Sequence, residues 1–141
     1  MGLAILTLLI SFAITSSGQE IKKCDGAVLS ATSEKLGKLN QREIRNFLLT
    51  FGKECRNNVE YSEWSNELLF AILNNQTELS LKTIEKFETS IDLEEILADL
   101  GSPINDTIDV KALIPKVDQI QFNGKLKQQI LIKLKEAAQK Y

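Results

Sequence analysis

The chain has 141 residues, of which 43% are hydrophobic and 26% charged, and its formal net charge is −2. This composition is typical of one globular domain and does not favour bulk binding to nucleic acid or to an acidic membrane. Because the sequence contains no histidine, Ser-His-Asp and Cys-His catalysis and imidazole metal sites are excluded. We therefore expect neither a cofactor nor a nucleic-acid partner.

The first 18 residues have the layout of a secretory signal. Leu3–Ile14 is almost entirely apolar and too short to span a bilayer comfortably, and the small residues Thr15–Gly18 follow. Cleavage before Gln19 would leave residues 19–141 as a single all-α domain, secreted or periplasmic and without stable membrane insertion. The segment before the apolar run has no lysine or arginine, so the alternative is an N-terminal core helix of a cytosolic protein.

Cys24 and Cys55 are the only cysteines in the sequence. An even number of cysteines in an exported chain predicts one disulfide between them. The bridge would close a loop of about 30 residues and attach the segment after the signal to the end of the first strong helix. Two buried free thiols are the alternative, which applies only if the chain is not exported.

Helical periodicity begins after a mixed segment. A short helix is predicted over Ser33–Leu39. Asn40 and Glu43 then have the spacing of a capping box, and apolar residues follow at helical intervals. This pattern predicts an amphipathic helix over Gln41–Cys55.

The most apolar segment of the remaining chain is Ser62–Asn74, where apolar residues recur at helical spacing over a wide face. We predict that it is the central helix and that Ser62 is its N-cap. Another helix is expected to begin at Thr77 or Glu78. Ser90 is the N-cap candidate for the helix after that.

The end of the sequence predicts two further helices. Gly101 followed by Pro103 ends the preceding helix. The next helix begins at Val110 and is expected to be interrupted at Pro115, and the last runs from Leu126 to the C terminus. No segment alternates with period two, so the predicted fold is all-α, either a small irregular helical bundle or a short stack of antiparallel helix pairs.

Two helix junctions, Leu73–Phe87 and Leu97–Ile114, are alike. In each, an apolar helix ends on leucine, a short polar turn follows and an amphipathic helix begins. The turn Leu100–Pro103 resembles the loop between helices in HEAT-like repeats, and the resemblance covers Ser62–Ile120. It implies antiparallel helix pairs stacked side by side, in a scaffold that binds through its surface rather than catalysing a reaction.

Charge is unevenly distributed along the chain. Nine acidic residues and two lysines lie between Glu78 and Asp109, whereas seven lysines and two acidic residues follow. One interpretation is an acidic face containing Glu88, Glu95 and Asp99 that docks a basic protein. The alternative is that two solvated helix faces partly neutralise each other.

These patterns leave two functional classes open. The preferred one is a non-enzymatic binding protein that acts through its surface on another protein. The alternative is a small carboxylate-dependent hydrolase, for which Glu88, Glu94, Glu95 and Asp99 are the first candidates. Two N-glycosylation sequons, at Asn75 and Asn105, are expected to carry glycan only if the host is a eukaryote.

Export can be tested directly at the N terminus. We expect N-terminal sequencing of the mature protein to begin at Gln19, because signal peptidase needs the small residues that precede it. Recovery of chains beginning at Met1 from a cytosolic fraction would contradict export and, with it, the compartment that the disulfide requires.

Overall fold

The structure, a computed structural model, describes residues 20–140. The predicted signal segment, its cleavage site and Tyr141 therefore lie outside the described residues. Within this range there are seven α-helices, one 3₁₀ helix and no strand, so the all-α prediction is confirmed. The elements in order are α1 (Gly26–Glu34), α2 (Gln41–Leu49), the 3₁₀ helix (Lys53–Asn57), α3 (Val59–Asn75), α4 (Thr77–Phe87), α5 (Leu93–Leu100), α6 (Val110–Gln119) and α7 (Gly124–Ala138).

The first helix lies upstream of its predicted position. Asp25 caps α1 by accepting a hydrogen bond from the Ala27 backbone N–H at 3.0 Å, and the helix ends at Glu34. The prediction of a helix over Ser33–Leu39 was wrong, because the chain turns there and Gly37 has a φ of 82°. This left-handed conformation suits glycine and ends the helical path.

The capping box at the start of α2 is confirmed. Asn40 Oδ1 accepts from the Glu43 N–H at 3.0 Å, and Glu43 Oε2 accepts from the Asn40 N–H at 2.9 Å. However, α2 ends at Leu49 rather than at Cys55. The Thr50 carbonyl accepts instead from the Cys24 N–H at 2.8 Å, so the chain leaves the helix and re-forms as the 3₁₀ helix.

The predicted disulfide is present. Cys24 and Cys55 are bonded, with their Cα atoms 5.5 Å apart. The bond joins the N-terminal end of the described chain to the 3₁₀ helix, and the Lys23 ammonium adds a hydrogen bond to the Phe51 carbonyl. These contacts fix the approach to α1 against the end of α2.

Helix α3 contacts α1, α4, α5, α6 and the 3₁₀ helix, which agrees with its predicted central position. It begins at Val59, earlier than predicted, because Asn58 caps it by accepting from the Tyr61 N–H at 3.1 Å. Ser62 lies inside the helix and donates to the Cys55 carbonyl at 3.0 Å. The predicted cap residue therefore links α3 to the disulfide segment.

The later helices follow the predicted order with two corrections. Helix α4 begins at Thr77 as expected, whereas α5 is capped by Asp92 and not by Ser90. Helix α6 continues through Pro115 without interruption. Its buried residues Val110, Leu113 and Val117 lie on both sides of the proline, so their packing maintains the helix although Pro115 donates no backbone hydrogen bond.

The disulfide should contribute measurably to stability. We expect reduction to lower the free energy of unfolding by about 3 kcal/mol, because the bond restricts a loop of about 30 residues in the unfolded chain. Urea unfolding with and without dithiothreitol measures this change. The variant Cys24→Ser/Cys55→Ser is the control, since its stability should not respond to the reductant. An equal response of both proteins would contradict a structural role for the bond.

Candidate functional site

A groove of about 540 Å³ lies between α3, α6 and the loop that connects α5 to α6. It has an apolar floor and a polar rim. The floor is formed by Phe70, Ala71, Ile108, Ala112 and Leu113, and the rim by Glu67, Asn74, Asn105, Thr107, Asp109 and Lys116.

The loop that forms one wall of the groove is hydrogen-bonded to α3 through the buried side chain of Asn66. Asn66 is only 3% exposed. Its amide nitrogen donates to the carbonyls of Asp99 and Ser102, each at 3.2 Å, and its amide oxygen accepts from the Ile104 N–H at 3.0 Å. Because buried polar groups are costly unless they are paired, these bonds fix the loop at the position where it closes the groove.

The two ends of the groove carry opposite charge. At one end the Asn105 amide donates to Glu67 Oε1 at 2.7 Å, and Asp109 caps α6 through the Ala112 N–H at 2.9 Å. At the other end the Lys116 ammonium donates to the side chain and carbonyl of Asn74. The groove is therefore polarised along α3.

The acidic end of the groove continues as a stripe along α3. We define the acidic stripe as Glu60, Glu63 and Glu67, whose spacing places them on one face of the helix. A shallow depression lined by these acids together with Val59 and Trp64 shares Glu67 with the groove. Val59 is 64% exposed, so the stripe also has an accessible apolar side chain.

The three acids predicted as a binding face are not grouped in this groove. Glu95 is 7% exposed and forms a two-point ion pair with Arg56, with the Arg56 Nε 3.0 Å from Glu95 Oε2. Asp99 is half-buried one turn further along α5, whereas Glu88 follows the last residue of α4. Their role in docking stays a prediction, although the charge of Glu95 is already balanced by Arg56.

Glu95 and Asp99 line a small pocket of about 40 Å³ with Arg56, Tyr61 and Ser65. Burial raises the pKa of Asp99 to about 6, with a further contribution from the negative charge of Glu95, while a hydrogen bond with the Asn66 side chain opposes the rise. One water molecule needs about 10–15 Å³ of such space, so the pocket has room for a few water molecules rather than for a substrate. Glu94, the fourth suspected acid, is exposed and pairs with Lys53 at 3.1 Å.

Burial also affects the tyrosine of this pocket. It raises the pKa of Tyr61 to about 12, so the phenol stays protonated near neutral pH. Its oxygen lies 2.6 Å from the Thr50 hydroxyl oxygen. Together with the Arg56–Glu95 ion pair, this contact ties the end of α2 and the 3₁₀ helix to α3 and α5.

The two sequons occupy different settings. Asn75 is the last residue of α3, and its amide nitrogen donates to the Ala71 carbonyl at 2.7 Å. Asn105 lies on the groove rim, where its Oδ1 accepts from the Thr107 N–H at 3.1 Å. Glycosylation of either residue stays a prediction, and a glycan on Asn105 would stand beside the groove.

No family model, curated protein or solved structure matches the chain. Residues 20–140 contain no group of three acidic or cysteine side chains placed to hold a metal ion. In the same range no helix has both the length and the apolar character needed to cross a membrane.

The raised pKa of Asp99 predicts how stability depends on pH. The folded state binds this proton more tightly than the unfolded state, whose pKa is about 4, so the contribution of Asp99 to stability falls as pH rises from about 4 to about 6. Above this window Asp99→Asn should be more stable than the wild type by about 1–2 kcal/mol, and below it the difference should vanish. Urea unfolding of both proteins across this pH range tests the prediction. If the free energies of unfolding of the wild type and Asp99→Asn changed in parallel with pH, the prediction would be contradicted.

Proposed function

We propose that the chain is a non-enzymatic protein that binds another protein through the groove between α3 and α6. The observation that carries this proposal is the groove itself, in which an apolar floor lies beside a polar rim that is acidic at one end. Its volume of about 540 Å³ is comparable with that of small-molecule pockets, roughly 300–1,000 Å³, so the groove has room for apolar side chains of a partner. Apolar floors supply affinity and charged rims supply specificity in such sites.

The proposed setting is outside the cytoplasm, with residues 1–18 removed as a signal and the mature protein secreted or periplasmic. The Cys24–Cys55 disulfide supports this setting, since such bonds persist mainly in oxidising compartments. We also propose that the middle of the chain is a HEAT-like stack. Its support is that α3 and α4 pack against each other and are joined by Gln76 alone.

The geometry gives less support to a carboxylate-dependent hydrolase. Glu95, which is buried, and Asp99, which is half-buried, face a pocket of about 40 Å³. Glu95 is bound by Arg56, whereas acid–base catalysis on a sugar needs two carboxyl groups with the substrate between them. Binding through the larger groove is therefore the preferred proposal.

Filling the groove tests the proposal. Ala112 is exposed on α6 and forms part of the groove floor, so Ala112→Phe should occupy the groove without disturbing the core. The wild type should capture partner proteins from an extract of the native source, and we expect Ala112→Phe to capture none of them. The matched control is Ala98→Phe, an exposed position on α5, which should retain them. Capture of the same proteins by both variants would contradict binding through the groove.

A further inference from the structure

Resting on the proposed function, we infer that the partner supplies a polypeptide segment with basic residues at one end and apolar residues at the other. The basic end lies on the acidic stripe of α3, and the apolar end enters the groove. The continuity of these two surfaces along one helix carries the inference.

The stripe and the groove form one track along α3. From Glu60 to Asn74 the helix advances about 21 Å, at 1.5 Å per residue. Glu67 belongs to both surfaces, since it lines the shallow depression and the groove. A single extended segment of about seven residues, or a helix of about four turns, would cover the whole track.

The charge of the stripe is not balanced within the described chain. Among residues 20–140, the acids that form ion pairs belong to other surfaces: Glu43, Glu78, Glu94, Glu95, Asp118 and Glu136. Glu60 lies in the first turn of α3, where the helix dipole favours an acid. Glu63 and Glu67 lie beyond that turn, so the dipole does not account for them. A basic partner would complement all three carboxylates.

The polarity of the track determines the order of residues in the partner. Lys116 stands at the end of the groove opposite the stripe and would repel a basic side chain there. The floor between Lys116 and the stripe includes Phe70 and Ala71, which favour apolar side chains. The partner segment therefore needs its positive charge grouped at the stripe, followed by apolar residues, rather than distributed evenly.

A second copy of this chain is the competing occupant. Helix α7 exposes Lys125 and Lys135, with Ile132 between them at 52% exposure. Its lysines are spread along the helix on both sides of the apolar residue, whereas the track calls for a basic block followed by an apolar block. We therefore assign the track to a different protein. Sedimentation velocity at low salt should show a monomer, and a salt-sensitive dimer would overturn the assignment.

The test uses the full mature chain and two synthetic peptides of identical composition, each of about 12 residues. The block peptide has lysines in its first half and leucines separated by serines in its second, and the scrambled peptide alternates them. Calorimetry measures affinity, and the emission of Trp64, the only tryptophan, reports occupancy of the stripe. The block peptide should bind about tenfold more tightly than the scrambled peptide and weaken as salt rises. Equal affinities, or no effect of salt, would overturn the inference.

Charge reversal separates this inference from the proposed function. Glu60→Lys/Glu63→Lys should lower the affinity for the block peptide by about tenfold. The control Glu20→Lys/Glu34→Lys changes net charge equally at exposed positions outside the track and should bind normally. If Ala112→Phe abolishes partner capture while Glu60→Lys/Glu63→Lys leaves it intact, the groove binds a partner of another chemistry and only this inference fails. If Ala112→Phe leaves capture intact, the proposed function fails.

Discussion

The buried amide of Asn66 is the contact on which the groove depends. Its amide forms three hydrogen bonds with backbone groups of Asp99, Ser102 and Ile104, which join the loop after α5 to α3. Ile108 of the same loop also packs against the core. Loss of this side chain would leave three backbone groups without their partner, each costing about 1–3 kcal/mol if it stayed buried. The loop then places Asn105 and Asp109 on the groove rim. A core residue of α3 thus determines the shape of a surface site.

The disulfide segment organises the opposite side of α3. Cys55 is bonded to Cys24, its neighbour Arg56 holds the buried Glu95, and Thr50 contacts Tyr61. A buried carboxylate is tolerated only when it is paired and hydrogen-bonded, so Arg56 compensates for the burial of Glu95. These polar groups join four elements around a pocket with room for only a few water molecules. These groups therefore stabilise the fold, whereas the proposed binding surface uses the accessible acids of α3.

Local chemistry made part of this structure predictable from sequence. The capping box at Asn40 and the stop at Gly101 depend on neighbouring residues only, and both are present. Ser62 was predicted to cap α3, but Asn58 does so, and Ser62 bonds instead to the carbonyl of Cys55, which is distant from the cap pattern that the sequence shows. The continuity of α6 through Pro115 depends on the packing of its buried side chains, which local sequence does not reveal. The charges along Glu78–Asp109 predict an acidic face, but a count of charges cannot reveal that Glu95 is buried. The helical spacing of the acidic stripe can be recognised in the sequence. The groove cannot be predicted from the sequence, because it requires the loop that Asn66 fixes.

The position of the track on α3 has consequences for how binding would proceed. The inner face of α3 is fully used by the core, with Leu69, Ile72 and Leu73 at most 2% exposed. Because its backbone is held by the core, the helix presents its outer side chains from fixed positions. Binding of a partner would then cost less free energy for ordering this surface. The carboxylates of the stripe lie outside the apolar groove, where they act at longer range and accelerate encounter more than they prolong the complex. Affinity would then depend on apolar burial in the groove, and the salt dependence of binding would appear mainly in the association rate.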